Sequence, residues 1–476
     1  MKYFDFLMSK ARTLTVLVLL SLCSSACGDE RSNKGDKKNV SNDFGSNYIY
    51  DKDFVSSVTQ SARERVQQDQ CFKNSDSPEE DCAADYKEVS FRDGSFQMKA
   101  STGEPVLMTE YDVDVFLATT RYRHRYKNLY TVKDGRIVDA NPRVRLPTVM
   151  FETMSEIAGH DFVPAHAFKQ LGEIFDDAYP DVSGPYSNHN TVIQEILMEY
   201  NPETPIVGLS DFGKFESLFD KSVVCGRGSL RKKKKHIKSR SQAFAQDLKA
   251  LIRRERISYV NMSFGISNKS VVSDLEELCG SRRQYASESV AEAILDSFKS
   301  TFEYLNQSDG VLSVQAAPYN SWDDGPYDCS AEYSMRIIAG AYNQKASSSA
   351  WGFSQRSDSN VPKVGRCGDA YVNFNTDFES NEDKPQTLMA TLGIGFGMGR
   401  IGRKSSVSTS NATPLVLSHV IYLRHSPEFA NREIDSSLTE DLLKELKICE
   451  EGDRSSCEYS DPLKLRKLRV YELKYW

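Results

Sequence analysis

Beyond Pro147 the apolar positions fall into short unbroken runs separated by stretches where they recur every three or four residues. Unbroken runs bounded by turn residues suit buried strands, and the longer spacing suits helices with one apolar face. Thr148-Val149-Met150-Phe151 reads as a short strand. Thr191 to Tyr200 places Val192, Ile193, Ile196, Leu197 and Tyr200 on one helical face, and Asn201-Pro202 ends it. Ile206-Val207-Gly208-Leu209 reads as the next strand. Ser241 to Glu255 is an amphipathic helix, Ile257 to Met262 a strand, Ser287 to Asn306 a long helix, and Gly310 to Ala317 a strand. Leu415 to Leu423 is a further apolar, helix-like run. Strands that alternate with helices predict an α/β fold, a mostly parallel central sheet with helices on both faces. Such sheets place functional residues at the carboxyl ends of strands and at the adjoining helix N-termini.

The chain has 476 residues, of which 39% are hydrophobic and 27% charged, with a net charge of −7. That balance fits a globular protein and argues against nucleic acid as a partner. Lys10 and Arg12 precede the apolar run Thr15 to Leu22, and Ser24, Ser25 and Ala26 follow it, which is the order of a secretory signal. Cys27 after Ser-Ser-Ala resembles the lipidated cysteine of a bacterial lipoprotein, with Ser24 where that motif prefers Leu. Lipid attachment at Cys27 would hold the protein at the cell envelope, and cleavage without lipid would make it secreted. Residues 1–27 are thus a signal peptide, 28–47 a polar tether, and 48–145 an N-terminal extension of unreadable fold in which Val113 to Leu117 looks strand-like. Residues 146–435 form the α/β domain, and 436–476 a charged C-terminal extension.

With Cys23 removed in the signal and Cys27 carrying lipid, the cysteines left are Cys71, Cys82, Cys225, Cys279, Cys329, Cys367, Cys449 and Cys457. An even set in an exported protein suggests disulfides. Cys71–Cys82 and Cys449–Cys457 are natural local pairs, and Cys225–Cys279 and Cys329–Cys367 are the expected remainder. No CxxC pair is present to suggest zinc.

Chemistry enters at Ser408-Thr409-Ser410-Asn411-Ala412-Thr413-Pro414, just before the apolar helix. A hydroxyl in such a turn lies where backbone N–H groups are unsatisfied and the helix dipole is positive. That suits a serine nucleophile whose attack creates an oxyanion, and equally an ordinary helix cap. Four stretches decide between these. The heptad is similar to the Gly-Thr-Ser-Met-Ala-Ser-Pro motif of the subtilisin-like serine proteases. Asn188-His189-Asn190-Thr191-Val192 resembles that family's Gly-His-Gly-Thr-His-Val, and Val260-Asn261-Met262-Ser263-Phe264-Gly265 its Val-Ile-Asn-Met-Ser-Leu-Gly. Val149-Met150-Phe151-Glu152-Thr153-Met154 resembles Val-Ile-Asp-Ser-Gly, followed by His160-Asp161-Phe162.

The resemblance implies a three-layer subtilisin-like fold and peptide-bond hydrolysis. Ser410 would be the nucleophile, His189 the general base, and Glu152 the orienting acid in place of Asp. Ser263, Phe264 and Gly265 would line substrate. Asn320 would donate to the oxyanion if one residue is inserted in Ala316-Ala317-Pro318-Tyr319-Asn320, and Tyr319 otherwise. Ile338 to Ala341 would be a further strand. The partner is a protein or peptide substrate, and no cofactor is implied. Calcium is common in the family, but no loop here reads as a calcium site, and no metal ligands are assigned. A binding protein that kept the fold and lost catalysis is the main alternative, because glycines beside His189 have become Asn and Asp has become Glu. An esterase is disfavoured, since no Gly-x-Ser-x-Gly surrounds Ser410.

Two features stand outside this scheme. Arg231 to Arg240 is a dense basic run, expected as a solvated loop before the 241–255 helix, as a contact for anionic surface polymers or lipid, or as a cleavage site. Gly393, Gly395, Gly397 and Gly399 alternate with apolar residues and suggest a glycine-rich strand or hairpin.

Overall fold

The computed structural model describes residues 52–69, 86–96, 103–111, 126–158, 204–280, 287–318, 325–342, 363–364, 367–373, 408–446 and 459–460, with single positions in 171–178 and 190–197. The strands are β1 (Tyr86–Ser90), β2 (Val106–Tyr111), β3 (Tyr126–Lys133), β4 (Arg136–Asp139), β5 (Arg143–Pro147) and β6 (Ile206–Ser210). They continue with β7 (Tyr259–Met262), β8 (Leu312–Ala316), β9 (Arg336–Tyr342), β10 (Lys363–Val364), β11 (Ala370–Asn373) and β12 (Tyr459–Ser460). The longer helices are α1 (Lys52–Gln68), α2 (Thr148–Ala158), α3 (Leu230–Glu255), α4 (Asn268–Cys279), α5 (Glu288–Ser297), α6 (Lys299–Gln307), α7 (Thr409–Arg424) and α8 (Ser436–Leu446).

The main sheet runs β12-β11-β9-β8-β7-β2-β6-β3-β4, with β10 attached to β9. From β3 to β12 every neighbour on that path is parallel. The hairpin β3–β4 adds an antiparallel edge. Its tight turn is Asp134-Gly135, both at positive φ (52° and 70°). That is the backbone a two-residue hairpin needs, and Asp-Gly supplies it at little steric cost. β1 and β5 form a separate antiparallel pair.

The parallel strands β6, β7 and β8 are buried on both faces; Ile206 to Leu209 is an unbroken apolar run, whereas β8 also buries Ser313 and Gln315. Side chains alternate between the faces. Val106, Met108, Ile206, Tyr259 and Val314 join one cluster with α1, α2, the 193–197 positions, α7 and α8. Leu107, Val207, Leu209, Val260 and Met262 join the other with α3 to α6. Helices thus cover both faces of a mostly parallel sheet, the α/β architecture that the apolar pattern predicts.

Several expectations are revised. Thr148–Phe151 is not a strand but the first turn of α2, whose Val149, Met150, Thr153 and Met154 are buried at helical spacing. The basic run is not a loop: it is the first half of α3, a helix of 26 residues. The expected helix 287–306 is two helices joined at Phe298. A domain boundary at 146 does not hold, because β2 and β3 of the presumed extension lie within the sheet and β2 is central to it. Nor is 436–476 merely appended: Leu438, Leu442 and Leu446 of α8 are fully buried in the first cluster, and β12 extends the sheet.

Both long-range disulfides form as expected, Cys225–Cys279 and Cys329–Cys367. The first ties the segment before α3 to the end of α4 on one face of the sheet. Cys71, Cys82, Cys449 and Cys457 lie outside the described residues, as do Cys27, Val113–Leu117 and the glycine alternation 393–399.

Candidate functional site

The sheet has a topological switch between β2 and β7. The chain leaves β2 toward β3 and β6 on one side, and leaves β7 toward β8, β9 and β11 on the other. Crevices at the carboxyl ends of strands flanking such a point are where open α/β sheets bind ligands. The sequence brings the Asn-Met-Ser-Phe-Gly stretch to this place. Asn261 and Met262 end β7, and Asn261 Nδ2 donates to Ser263 Oγ at 3.0 Å. Across the switch, Thr109 Oγ1 of β2 donates to the Asn261 carbonyl at 2.8 Å. Ser263 is buried, Phe264 half-buried against Phe212 with ring centroids 5.4 Å apart, and Gly265 exposed.

A buried polar network backs this wall. Asp328 accepts from Gln315 Nε2 at 2.5 Å and from the Gly325 N–H at 2.9 Å. Arg336 donates to Gln315 Oε1 at 3.0 Å and to the carbonyls of Tyr327, Asp328 and Ala331. Burial pulls the Arg336 pKa down, and Asp369 and Asp328 oppose that pull. Glycine is required at 265, because a Cβ there would lie 2.9 Å from an Asp328 carboxylate oxygen. The Asp328 carboxylate thus packs directly behind the exposed backbone of the wall.

Ser410 reaches the same edge through α7. Almost every residue of α7 from Thr409 to Ile421 is buried, as expected of a helix that is apolar nearly all round. Its far end is pinned at the amino edge of the sheet. Arg424 Nε donates to Tyr259 Oη at 3.3 Å, at the first residue of β7, and Arg424 pairs with Glu104 at 3.4 Å, two residues before β2. Tyr259 Oη in turn donates to Glu104 at 2.5 Å. The helix therefore runs opposite to the strands. Sixteen residues at ~1.5 Å each span ~24 Å, longer than strands of four or five residues at ~3.3 Å each. Its N-terminus, with Ser410, lies at the carboxyl edge.

Ser410 is the second helical residue and is half-buried. Ser408 is the N-cap and its Oγ accepts from the Ser410 N–H at 3.1 Å. The backbone donor expected for an oxyanion is thus occupied in this structure. Pro414 has no N–H, so the Ser410 carbonyl lacks the donor that an ordinary helix would give it four residues on.

His189 and Asn320 lie outside the described residues, as does Tyr319. Asn190, the residue after His189, is helical, as are Ile193, Gln194, Ile196 and Leu197, all four of which are buried. The apolar ones belong to the cluster that contains Ala412, Leu415 and Val416 of α7. Gln194 Oε1 accepts from Tyr126 Oη at 2.7 Å, which ties this helix to β3. The helix that follows His189 and the helix that carries Ser410 therefore cover the same face of the sheet.

Glu152 does not end a strand of the sheet. It sits mid-way along α2, half-exposed, with Arg65 of α1 at 3.9 Å. Two acidic residues that sequence patterning missed stand at the carboxyl ends of central strands: Glu110 of β2, and Asp211, which follows β6 and accepts from Thr131 Oγ1 at 2.9 Å. Glu110 falls in the irregular step between Met108 and Tyr111, where three residues of β2 advance against two of β6. Such bulges recur beside active sites, where they interrupt pairing and re-aim the chain. The available signal was Val106-Leu107-Met108, a short apolar run separated from the acid by Thr109.

Among the described residues no group of three His, Cys, Asp or Glu side chains could hold a metal ion. Comparison with protein-family models, with curated proteins and with solved structures finds no match to this chain.

Proposed function

We propose that this protein is a serine endopeptidase of the subtilisin-like type, acting outside the cytoplasm on protein or peptide substrates and held at the envelope by lipid on Cys27. One observation carries the reading. Ser410 lies in the first turn of a buried helix whose other end is tied by Arg424 to the amino edge of the sheet, which supports its standing at the carboxyl edge, the edge at which Ser263 to Gly265 follow β7.

In this reading His189 takes the Ser410 hydroxyl proton as Oγ attacks the substrate carbonyl. The tetrahedral oxyanion is met by Asn320 and by the Ser410 N–H once Ser408 releases it. Collapse expels the amine, which takes the proton from His189, and water then hydrolyses the acyl-enzyme by the same steps in reverse. Glu110, at the end of β2, takes the orienting role for which the sequence suggested Glu152. The exposed backbone of Gly265 offers an edge along which extended substrate can pair.

A specific observation favours the alternative, a peptide-binding protein of the same fold without turnover: the Ser410 N–H is already capped. Cleavage of unfolded casein separates the two. The enzyme reading expects turnover that Ser410→Ala abolishes. Binding of casein by both proteins without cleavage by either supports the alternative.

A further inference from the structure

The first half of α3 presents a cationic face that the fold itself does not use. No Asp or Glu occurs between Asp220 and Asp247. Arg231, Lys234, Lys235 and Lys238 recur at three- and four-residue spacing and are all exposed, so they form one stripe along the helix. None of the four is in an ion pair among the described residues. The flanking face is committed to the core through Ile237, Ser241 and Phe244. At the leading end Leu230 is one of only two large hydrophobic side chains counted as exposed among the described residues, at 40%. The stripe stands out against a chain of net charge −7.

We infer that this face is a docking surface for an anionic phospholipid bilayer. Charge complementarity supplies the attraction, since lysines and arginines near an anionic leaflet each add to binding. Leu230, beside the cations at the helix start, fits the boundary between headgroups and acyl chains, where a basic helix places its apolar contacts. A straight stripe matches a flat surface. The long stems of Lys234, Lys235 and Lys238 let the ammonium groups reach phosphates while the helix stays seated on the sheet. This surface does not depend on the proposed peptidase chemistry.

The test uses the unlipidated chain from Gly28, which retains the whole compact unit Gly45–Trp476. It is sedimented with phosphatidylcholine vesicles and with vesicles containing one third phosphatidylglycerol. The expected result is binding to the anionic vesicles alone, lost at high salt because the contact is electrostatic. The variant Arg231→Gln/Lys234→Gln/Lys235→Gln/Lys238→Gln should reduce partitioning by roughly 100-fold or more. Leu230→Ser should reduce it by about 3-fold, with an unchanged thermal melt. Equal binding to both vesicle types, full binding by the quadruple variant, or binding to polyphosphate or DNA without binding to anionic vesicles would overturn the inference.

Discussion

The Ser408 hydroxyl accepts a hydrogen bond from the backbone N–H of Ser410 at 3.1 Å, so the cap of α7 occupies the donor that an oxyanion at Ser410 would need. Both uses of that N–H are physically sound, and they compete. A neutral cap is worth about 1 kcal/mol, whereas a developing oxyanion in a preorganised site gains about 3 kcal/mol from one donor. In the proposed reaction the oxyanion would win, once the Ser408 side chain turns away.

Ser408→Gly should therefore speed acylation of Ser410 by about 5-fold, the factor that ~1 kcal/mol represents, while costing only a few tenths of a kcal/mol in stability. Stopped-time labelling with a serine-directed reagent, paired with a thermal melt, checks both. A slower reaction in the glycine variant would mean that the cap holds Ser410 in place rather than competing for its N–H.

Glu110 and Glu152 give opposite expectations. Glu110→Gln should lower turnover by about 10³–10⁴-fold, the loss expected when the base is held in the wrong tautomer. Glu152→Gln removes a half-exposed pair with Arg65 and should cost no more than about 1 kcal/mol of stability, with turnover unchanged. Steady-state rates on one peptide substrate decide between them. Loss in the Glu152 variant alone would restore the role that the sequence suggested.

Acidification should loosen the start of α3 through His236. Burial, helped by Arg240 and opposed by Asp220, holds its pKa below the ordinary value. The neutral ring accepts the Asp220 N–H on Nε2 at 3.0 Å, a bond that protonation removes. The unfolded chain takes up this proton first, so the stabilisation is complete above about pH 6.5 and is lost as pH falls toward the depressed folded value. Melting temperature against pH should fall less steeply below about pH 6.5 in His236→Gln than in the parent. Parallel curves would count against it.

Reducing Cys225–Cys279, or replacing both residues by Ser, should lower stability by about 4 kcal/mol in the chain-entropy account, given a sequence separation of 54. Denaturant unfolding of the oxidised and reduced protein measures this. A change below about 1 kcal/mol would show that helix packing alone holds α4 against the segment before α3.

What the sequence reveals of this fold follows from which signals are local. Ile206–Ser210 is legible because a strand buried on both faces reads as a near-continuous apolar run between turns, and Leu312–Ala316 because Leu312, Val314 and Ala316 keep the strand alternation around Ser313 and Gln315. Val149-Met150-Phe151 misleads for the same reason, since a short apolar run fits a strand or the buried side of a helix, and only packing against α1 decides. The basic run is helical because Lys and Arg are good helix formers and Lys233, Ile237 and Ser241 continue the buried stripe of Phe244 and Leu248. Ser410 and Ser263 to Gly265 are candidates that the sequence alone can offer, because each motif is contiguous. Glu110 is not, because its place depends on β2 lying between β6 and β7, a long-range pairing that nothing around residue 110 announces.

Labelling of the chain with a fluorophosphonate, followed by mass-spectrometric mapping of the adduct, tests the central claim most directly. The expected result is a single adduct on Ser410, absent in Ser410→Ala and slowed by about 10³-fold or more in His189→Ala. An unlabelled parent protein, or an adduct on another serine, would contradict it.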